Sequence, residues 1–307
     1  MKKNKLIKKL AFCVSLLFVL GIFVGCSENS QTMKDRAGNE FTVPKKIDKI
    51  ISTAPSNTEI LVGLGLGDKI IATDDYSKDV KGIKGDLPKI SIEKPDPETI
   101  ISLKPDLVVA SEHNIPGGED PFKSIKDAGI PVVYIPSSKS FEAIYEDIDF
   151  LGKVTNTEAK ANEMVDAMKK EVNKIKEIGD KIKNKKSVYF EIGPAPTLYS
   201  FGSDTFLNEM IEIAGGKNIF SEQKGWIQPS EESVVDKNPD VILTNVNYIK
   251  DPVKEIESRK GWSTINAVKN KNVYSINTNE SSRASQFSVN ALKEIAKDLY
   301  PNEYKDQ

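Results

Sequence analysis

The sequence predicts an α/β protein, with two α/β lobes bridged by one long α-helix and a ligand cleft between the lobes. Three observations carry this expectation. Short β-branched runs alternate with amphipathic segments from Lys49 onward. A Pro-free helical pattern with a single apolar stripe occupies the middle of the chain. A helix-turn-strand pattern then occurs twice, once on each side of it. The expected layout is 1–25 as an export signal, 26–35 as a tether, 36–152 as the N-terminal lobe, 153–183 as the bridging helix and 184–307 as the C-terminal lobe.

The elements follow in order. Ile50-Ile51-Ser52 reads as strand and enters a turn at Ala54-Pro55-Ser56-Asn57. Thr58 to Leu64 reads as helix, with Ser56 or Asn57 as N-cap and Glu59 in the first turn, where its charge complements the helix dipole. Lys69 to Ala72 reads as strand. Pro97 to Leu103 is a short helix opened by Pro and closed by Lys104-Pro105. Leu107-Val108-Val109-Ala110 is a continuous apolar run, as in a sheet covered on both faces. Phe122 to Ala128 is helix, stopped by Gly129, and Val132 to Ile135 is strand. Ser140 to Leu151 is an amphipathic helix ending at Gly152. The alternation resumes at Val188-Tyr189-Phe190-Glu191.

Between these runs the helix over Thr157 to about Ile182 repeats apolar residues in steps of three and four: Ala161, Met164, Val165, Met168, Val172, Ile175, Ile178 and Ile182. Such a helix spans about 39 Å at 1.5 Å per residue. A coiled coil also gives a stripe, but this one lasts barely three heptads, and Met and Ala are weak seam residues. A strut laid across two domains fits it better.

The internal repeat is specific. Pro97-Glu98-Thr99-Ile100-Ile101 leads to Pro105-Asp106-Leu107-Val108-Val109, and Glu231-Glu232-Ser233-Val234-Val235 leads to Pro239-Asp240-Val241-Ile242-Leu243. In each, a Glu stands seven residues before Pro-Asp, two aliphatics follow the Glu, and three follow the Asp. Two lobes of similar topology give this spacing.

The N-terminus bears on location. Five lysines precede the apolar run Leu10–Val24, which is shorter than the roughly 20 residues of a membrane span. Phe23-Val24-Gly25-Cys26 resembles the bacterial lipobox, with Phe23 where Leu is usual. That resemblance implies lipidation at Cys26, tethering to the membrane and an extracytoplasmic fold; the competing reading is a transmembrane anchor with an incidental Cys. Cys13 and Cys26 are the only cysteines, so the body has no disulfide framework and depends on core burial. Beyond residue 25, 38 basic side chains face 45 acidic ones, a net charge of −7 that argues against nucleic acid.

With these features the chain resembles the type III substrate-binding proteins of bacterial ABC importers, receptors for cobalamin, haem and iron-siderophores. The resemblance runs from Asp35 onward. Within the family it is nearest the cobalamin-binding subgroup through Ala54-Pro55-Ser56-Asn57-Thr58-Glu59, Asp75-Tyr76-Ser77 and Gly225-Trp226-Ile227-Gln228-Pro229. It implies a permease dimer with its ATPase subunits as partner, and one surface Glu per lobe, Glu98 and Glu232, to dock on it. The competing role for each Glu is a favourable charge in the first turn of a helix.

A planar macrocycle or metal chelate calls for aromatic faces and a few polar anchors. Ser56, Asn57, Tyr76, Tyr199, Phe201, Trp226 and Tyr248 stand near strand-to-helix connections, where α/β ligand sites collect. The resemblance gives Tyr76 and Trp226 ligand contacts, whereas Ile92 replaces a second expected aromatic and leaves the ligand open between a corrinoid, a ferric siderophore and haem. Arg283, one of three arginines against 40 lysines, either receives an anionic group of the ligand or forms a lobe-stabilising ion pair. His113 is the single histidine, too few for a receptor of bare zinc or manganese; it stands at the cleft rim or on an exposed loop.

Catalysis finds little support. There is no nucleophile elbow, no phosphate-binding Gly-rich loop before Lys-Ser/Thr and no His-Glu-x-x-His. Gly63-Leu64-Gly65-Leu66-Gly67 follows a helix-like segment, the wrong context for a dinucleotide. No catalytic residue, metal site or resident cofactor is therefore assigned. An exported α/β enzyme is the alternative of a different class.

Overall fold

The computed structural model describes residues 31–114 and 120–306. The expected export signal and Cys26 lie outside the described residues. An antiparallel pair, β1 (Thr32–Lys34) and β2 (Glu40–Thr42), comes first. The N-terminal lobe follows on β3 (Ile50–Ser52), β4 (Ile70–Asp74), β5 (Lys89–Ile90), β6 (Leu107–Ser111) and β7 (Val132–Ile135). These five strands are parallel, in the order β5-β4-β3-β6-β7. The C-terminal lobe contains β8 (Ser187–Glu191), β9 (Ser200–Phe201), β10 (Lys217–Asn218), β11 (Trp226–Ile227), β12 (Val241–Thr244) and β13 (Val273–Ser275). Its main sheet is again parallel, β10-β8-β12-β13, while β9 and β11 form a separate antiparallel ribbon.

Leu107 through Ala110 are fully buried, because helices cover both faces of the sheet. The two repeat segments fold alike. Each makes a seven-residue helix, Pro97–Leu103 or Glu231–Lys237, with a side-chain N-cap from Asp96 or Ser230. Each helix ends on a left-handed residue, Lys104 (φ 50°) or Asn238 (φ 44°), before the Pro-Asp turn and a buried strand.

The long helix is Glu158–Gly179, 22 residues, or about 33 Å at 1.5 Å per residue. Ala161, Val165, Met168, Val172 and Ile175 are buried along it, with Met164 and Ile178 partly so. One continuous apolar cluster runs from Ile50 and Val109 through Val165 and Met168 to Phe190 and Leu243. The core of each lobe is thus joined to the other through the stripe of this helix.

Several local expectations change. The helix predicted to stop at Gly152 runs over Phe141–Thr155 and ends at Asn156 in the left-handed region. Gly152 is instead a packing position: a Cβ there would lie 2.5 Å from the Cβ of Ala161 on the long helix. The long helix stops at Gly179 rather than Ile182, and a Cβ on Gly179 would meet the Ile213 carbonyl at 2.2 Å. The first helix begins earlier than expected, at Pro55, so neither Ser56 nor Asn57 caps it, and Glu59 lies beyond its first turn. Trp262, at the start of the short turn Trp262–Thr264, is buried against Tyr189 and donates from its indole N–H to Glu231 (3.2 Å).

Candidate functional site

Most of the cleft wall comes from residues just beyond the carboxyl ends of parallel strands. Ser56 and Asn57 follow β3, Ser111 ends β6, and Ile135 to Ser138 end and follow β7. From the other lobe, Ile192 follows β8, Asn245, Asn247 and Tyr248 follow β12, and Thr278, Ser281, Ser282 and Ala284 follow β13. Phe206, Leu207 and Trp226 complete a cavity of about 430 Å³. Ligands of open α/β sheets bind at this end of the strands.

The walls are braced from behind. Asn57 is buried and donates to the Ala110 carbonyl (3.3 Å), tying the first helix to β6. The Asn245 side-chain amide donates to the hydroxyls of Ser281 and Ser282 (3.1 Å each), and the main-chain carbonyl of Asn245 accepts from the Thr278 hydroxyl (2.6 Å). A hydroxyl chain ties the first helix to the strands beside it: Thr58 donates to Ser52 (2.8 Å), Ser77 donates to Asp74, and the Ser77 and Thr58 hydroxyl oxygens stand 3.1 Å apart. Burial raises the Asp74 carboxyl above its usual range, against the hydrogen bond from Ser77.

Trp226 is 59 % exposed and presents its indole to the cavity. It stands on β11 opposite Phe201, whose buried ring meets it edge-on at 6.3 Å and 87°. Phe201 is therefore a support for Trp226 and does not line the cavity. Ser56, Asn57, Trp226 and Tyr248 are the sequence-predicted residues that the cavity brings together. Tyr76 and Tyr199 are exposed but line neither this cavity nor the one adjoining it. Tyr199 packs over Gly193, where a Cβ would lie 3.0 Å from its ring.

Arg283 does not line the cavity either. Its guanidinium is held by Glu59 (2.8 Å), Asp79 (2.8 Å) and the Tyr76 carbonyl (3.0 Å), so of its two expected roles the structure places it in the lobe-to-lobe ion pair. The side chain of His113 lies outside the described residues. Glu98 and Glu232 are both exposed, each the second residue of its helix, and neither lines the cavity.

Sequence reasoning missed Ser111, Ile135, Pro136, Ser137, Ser138, Ile192, Phe206, Leu207, Asn245, Asn247, Thr278, Ser281, Ser282 and Ala284. Most of these residues are small or unremarkable in type; the signal most of them share is position, at or soon after the end of a parallel strand.

The chemistry of the wall is distinctive. Among the described residues, every polar side chain lining the main cavity is a Ser, Thr, Asn, Tyr or Trp, and none is charged. Charged side chains line an adjoining cavity of about 300 Å³, which shares Ser137, Ser138, Phe206 and Trp226 and adds Lys139, Asp204 and Lys224. Among the described residues no group of three or more His, Cys, Asp or Glu is arranged to hold a metal ion. The site is built to bind a solute by contact and hydrogen bonding.

The profile of the family described as "Periplasmic binding protein" matches residues 50–279. An uncharacterized ABC transporter substrate-binding lipoprotein, YvrC of Bacillus subtilis (strain 168), is 38 % identical over 282 residues, covering 90 % of this chain and 87 % of the relative. The vitamin B12-binding protein of Yersinia pestis (strain Pestoides F) is 28 % identical over 207 residues, 67 % of this chain and 72 % of its own. Among solved structures, a possible iron-binding (periplasmic solute-binding) protein of Staphylococcus epidermidis ATCC 12228 superposes with a TM-score of 0.74 at 35 % identity, covering 83 % of this chain and all of that one. The vitamin B12-binding protein BtuF of Vibrio cholerae shares the fold, with a TM-score of 0.68 at 22 % identity, over 85 % of this chain and 99 % of that one. Two lobes on one helix, a cleft at the strand ends and these likenesses agree: the chain belongs to the periplasmic binding protein family, as the substrate-binding protein of an ABC transporter and not an enzyme.

Proposed function

We propose that this protein captures cobalamin or another corrinoid outside the cytoplasm, tethered by lipid at Cys26, and delivers it to the permease dimer of an ABC importer. The observation that carries the ligand assignment is the uncharged wall of amides and hydroxyls beside the Trp226 indole. A corrin ring is edged with carboxamides, which Asn and Ser side chains both donate to and accept from. Its apolar face suits an exposed indole. Haem brings two propionates that ask for cationic partners, and the described residues of the main cavity supply none. A corrinoid phosphodiester would find Lys139 and Lys224 in the adjoining cavity. The Yersinia relative, named for vitamin B12, supports the same reading.

A ferric siderophore is the second reading, favoured by the possible iron-binding protein at 35 % identity. Equilibrium dialysis of the chain from Ser27 onward against cobalamin, cobinamide, haem and ferric siderophores separates the two. Saturable corrinoid binding is expected; saturation by a siderophore alone transfers the assignment to iron. Replacing Cys26 with Ser should release the protein from the membrane fraction, and retention there would refute the lipid tether.

A further inference from the structure

The three arginines share one use. Arg36 bridges Glu146 and Asp147, Arg259 bridges Glu191 and Glu255, and Arg283 bridges Glu59 and Asp79. In a chain with 40 lysines, Arg stands where one planar fork must hold two carboxylates. The first two pairs lie within a lobe. The third joins the lobes, across 224 residues for Glu59 and 204 for Asp79.

We infer that Arg283 is a latch between the lobes, a positioning residue that sets the width of the ligand cleft from outside it. Each partner is connected to a cavity wall. Glu59 lies in the same helix, Pro55–Gly63, as the wall residues Ser56 and Asn57. Arg283 lies directly between Ser282 and Ala284, both wall residues of the other lobe. Fixing Glu59 to Arg283 therefore fixes the two walls to each other.

The contact is built rather than incidental. The side chains of Glu59 and Arg283 are only 7 % and 11 % exposed. The second carboxylate oxygen of Glu59 accepts from the Ser285 hydroxyl, and its main-chain carbonyl accepts from the Gln286 amide (2.8 Å). Asp79 accepts from both Arg283 and Asn279. Every polar contact of the Arg283 guanidinium is thus made to the opposite lobe, and the neighbouring 285–286 segment joins it on Glu59. A separate cavity of about 290 Å³, lined by Glu59, Asp79, Arg283 and Phe287, opens behind the latch, on residues that the ligand cavity does not use. Without Arg283, the neutral contacts of Ser285, Gln286 and Asn279, the bond from the Phe141 N–H to Glu209 (2.6 Å) and the apolar stripe of the long helix are left to hold the angle between the lobes.

The inference rests on the cleft being the ligand site, but its test needs no ligand. Nitroxide labels at Lys139→Cys and Lys224→Cys, both exposed and on opposite lobes, report the cleft width by pulsed electron resonance in the chain from Ser27 onward, whose described residues contain every element of both lobes. The latched protein should give one narrow distance distribution. Arg283→Gln should broaden it about twofold toward longer distances, with helix content unchanged by circular dichroism. Asp79→Asn, at a 43 % exposed site that leaves the Glu59 pair intact, should broaden it less. If Arg283→Gln fails to fold, Asp79→Asn alone decides. Distributions that superpose on the unsubstituted protein in the folded variants would overturn the latch while leaving the corrinoid reading untouched.

Discussion

Asp106 and Asp240 hold equivalent positions in the two lobes. Asp106 Oδ2 accepts from the backbone N–H groups of Asp48 (2.8 Å) and Lys49 (2.9 Å), just before β3. Asp240 Oδ2 accepts from the N–H (2.9 Å) and hydroxyl (2.8 Å) of Ser187, where β8 begins. In both lobes the Asp N–H returns a hydrogen bond to that neighbouring segment, to Lys49 O and to Ser187 O (2.9 Å each). The Pro-Asp turn thus pins the start of one central strand to the start of the next, and does so twice.

Removing either carboxylate leaves strand-start donors without their partner. Asp106→Ala and Asp240→Ala should each destabilise the fold by about 1–3 kcal/mol. Denaturant unfolding of both variants checks this, and a large loss in one lobe with none in the other would break the equivalence.

The same repeat places Glu98 and Glu232 at the second position of matching helices, exposed and, among the described residues, without an ion-pair partner. Two like carboxylates on related lobes suit a two-fold partner. Glu98→Ala with Glu232→Ala should abolish uptake into cells while ligand affinity of the purified protein stays unchanged. Unchanged transport would return both residues to first-turn charges.

Asp298 gives the fold a pH dependence. Burial, reinforced by Glu294, raises its carboxyl to about 7. An acid raised above its unfolded value of 3.8 holds its proton more tightly in the native state. Its stabilising effect is therefore present at low pH and is lost as pH rises toward 7. Asp298→Asn should leave stability at pH 4 nearly unchanged and raise it at pH 8 by about 2 kcal/mol, allowing for solvent screening at a partly exposed site. Thermal melts of both proteins at the two pH values test the sign; equal differences at pH 4 and pH 8 would contradict it.

Much of the fold was legible because it depends on local pattern. Val132–Ile135 and Pro97–Leu103 form as the apolar runs and Pro punctuation dictate. What misled was glycine and charge. Gly152 looks like a helix stop because the contact that demands it, with Ala161, lies on another helix. Arg283 offered two roles, and only its tertiary partner, 224 residues away, distinguishes them. The site was half legible for a similar reason. Trp226 stands out by type, whereas Ser111, Ser138 and Asn245 become wall residues only when two sheets face each other. Phe201 reads as a ligand contact from sequence, yet its ring is spent supporting the indole.

The central claim is that a corrinoid lies between the lobes against Trp226. Intrinsic fluorescence titration of the chain from Ser27 onward with cobalamin tests it most directly, because the two tryptophans differ in burial: Trp226 is 59 % exposed in the cleft and Trp262 is 1 % exposed in the core. Saturable quenching is predicted in the unsubstituted protein and in Trp262→Phe. In Trp226→Phe the remaining signal should stay nearly flat, with affinity by dialysis lowered about tenfold or more. Saturable quenching by a ferric siderophore with none by cobalamin or cobinamide, or full quenching that survives in Trp226→Phe, would contradict the account.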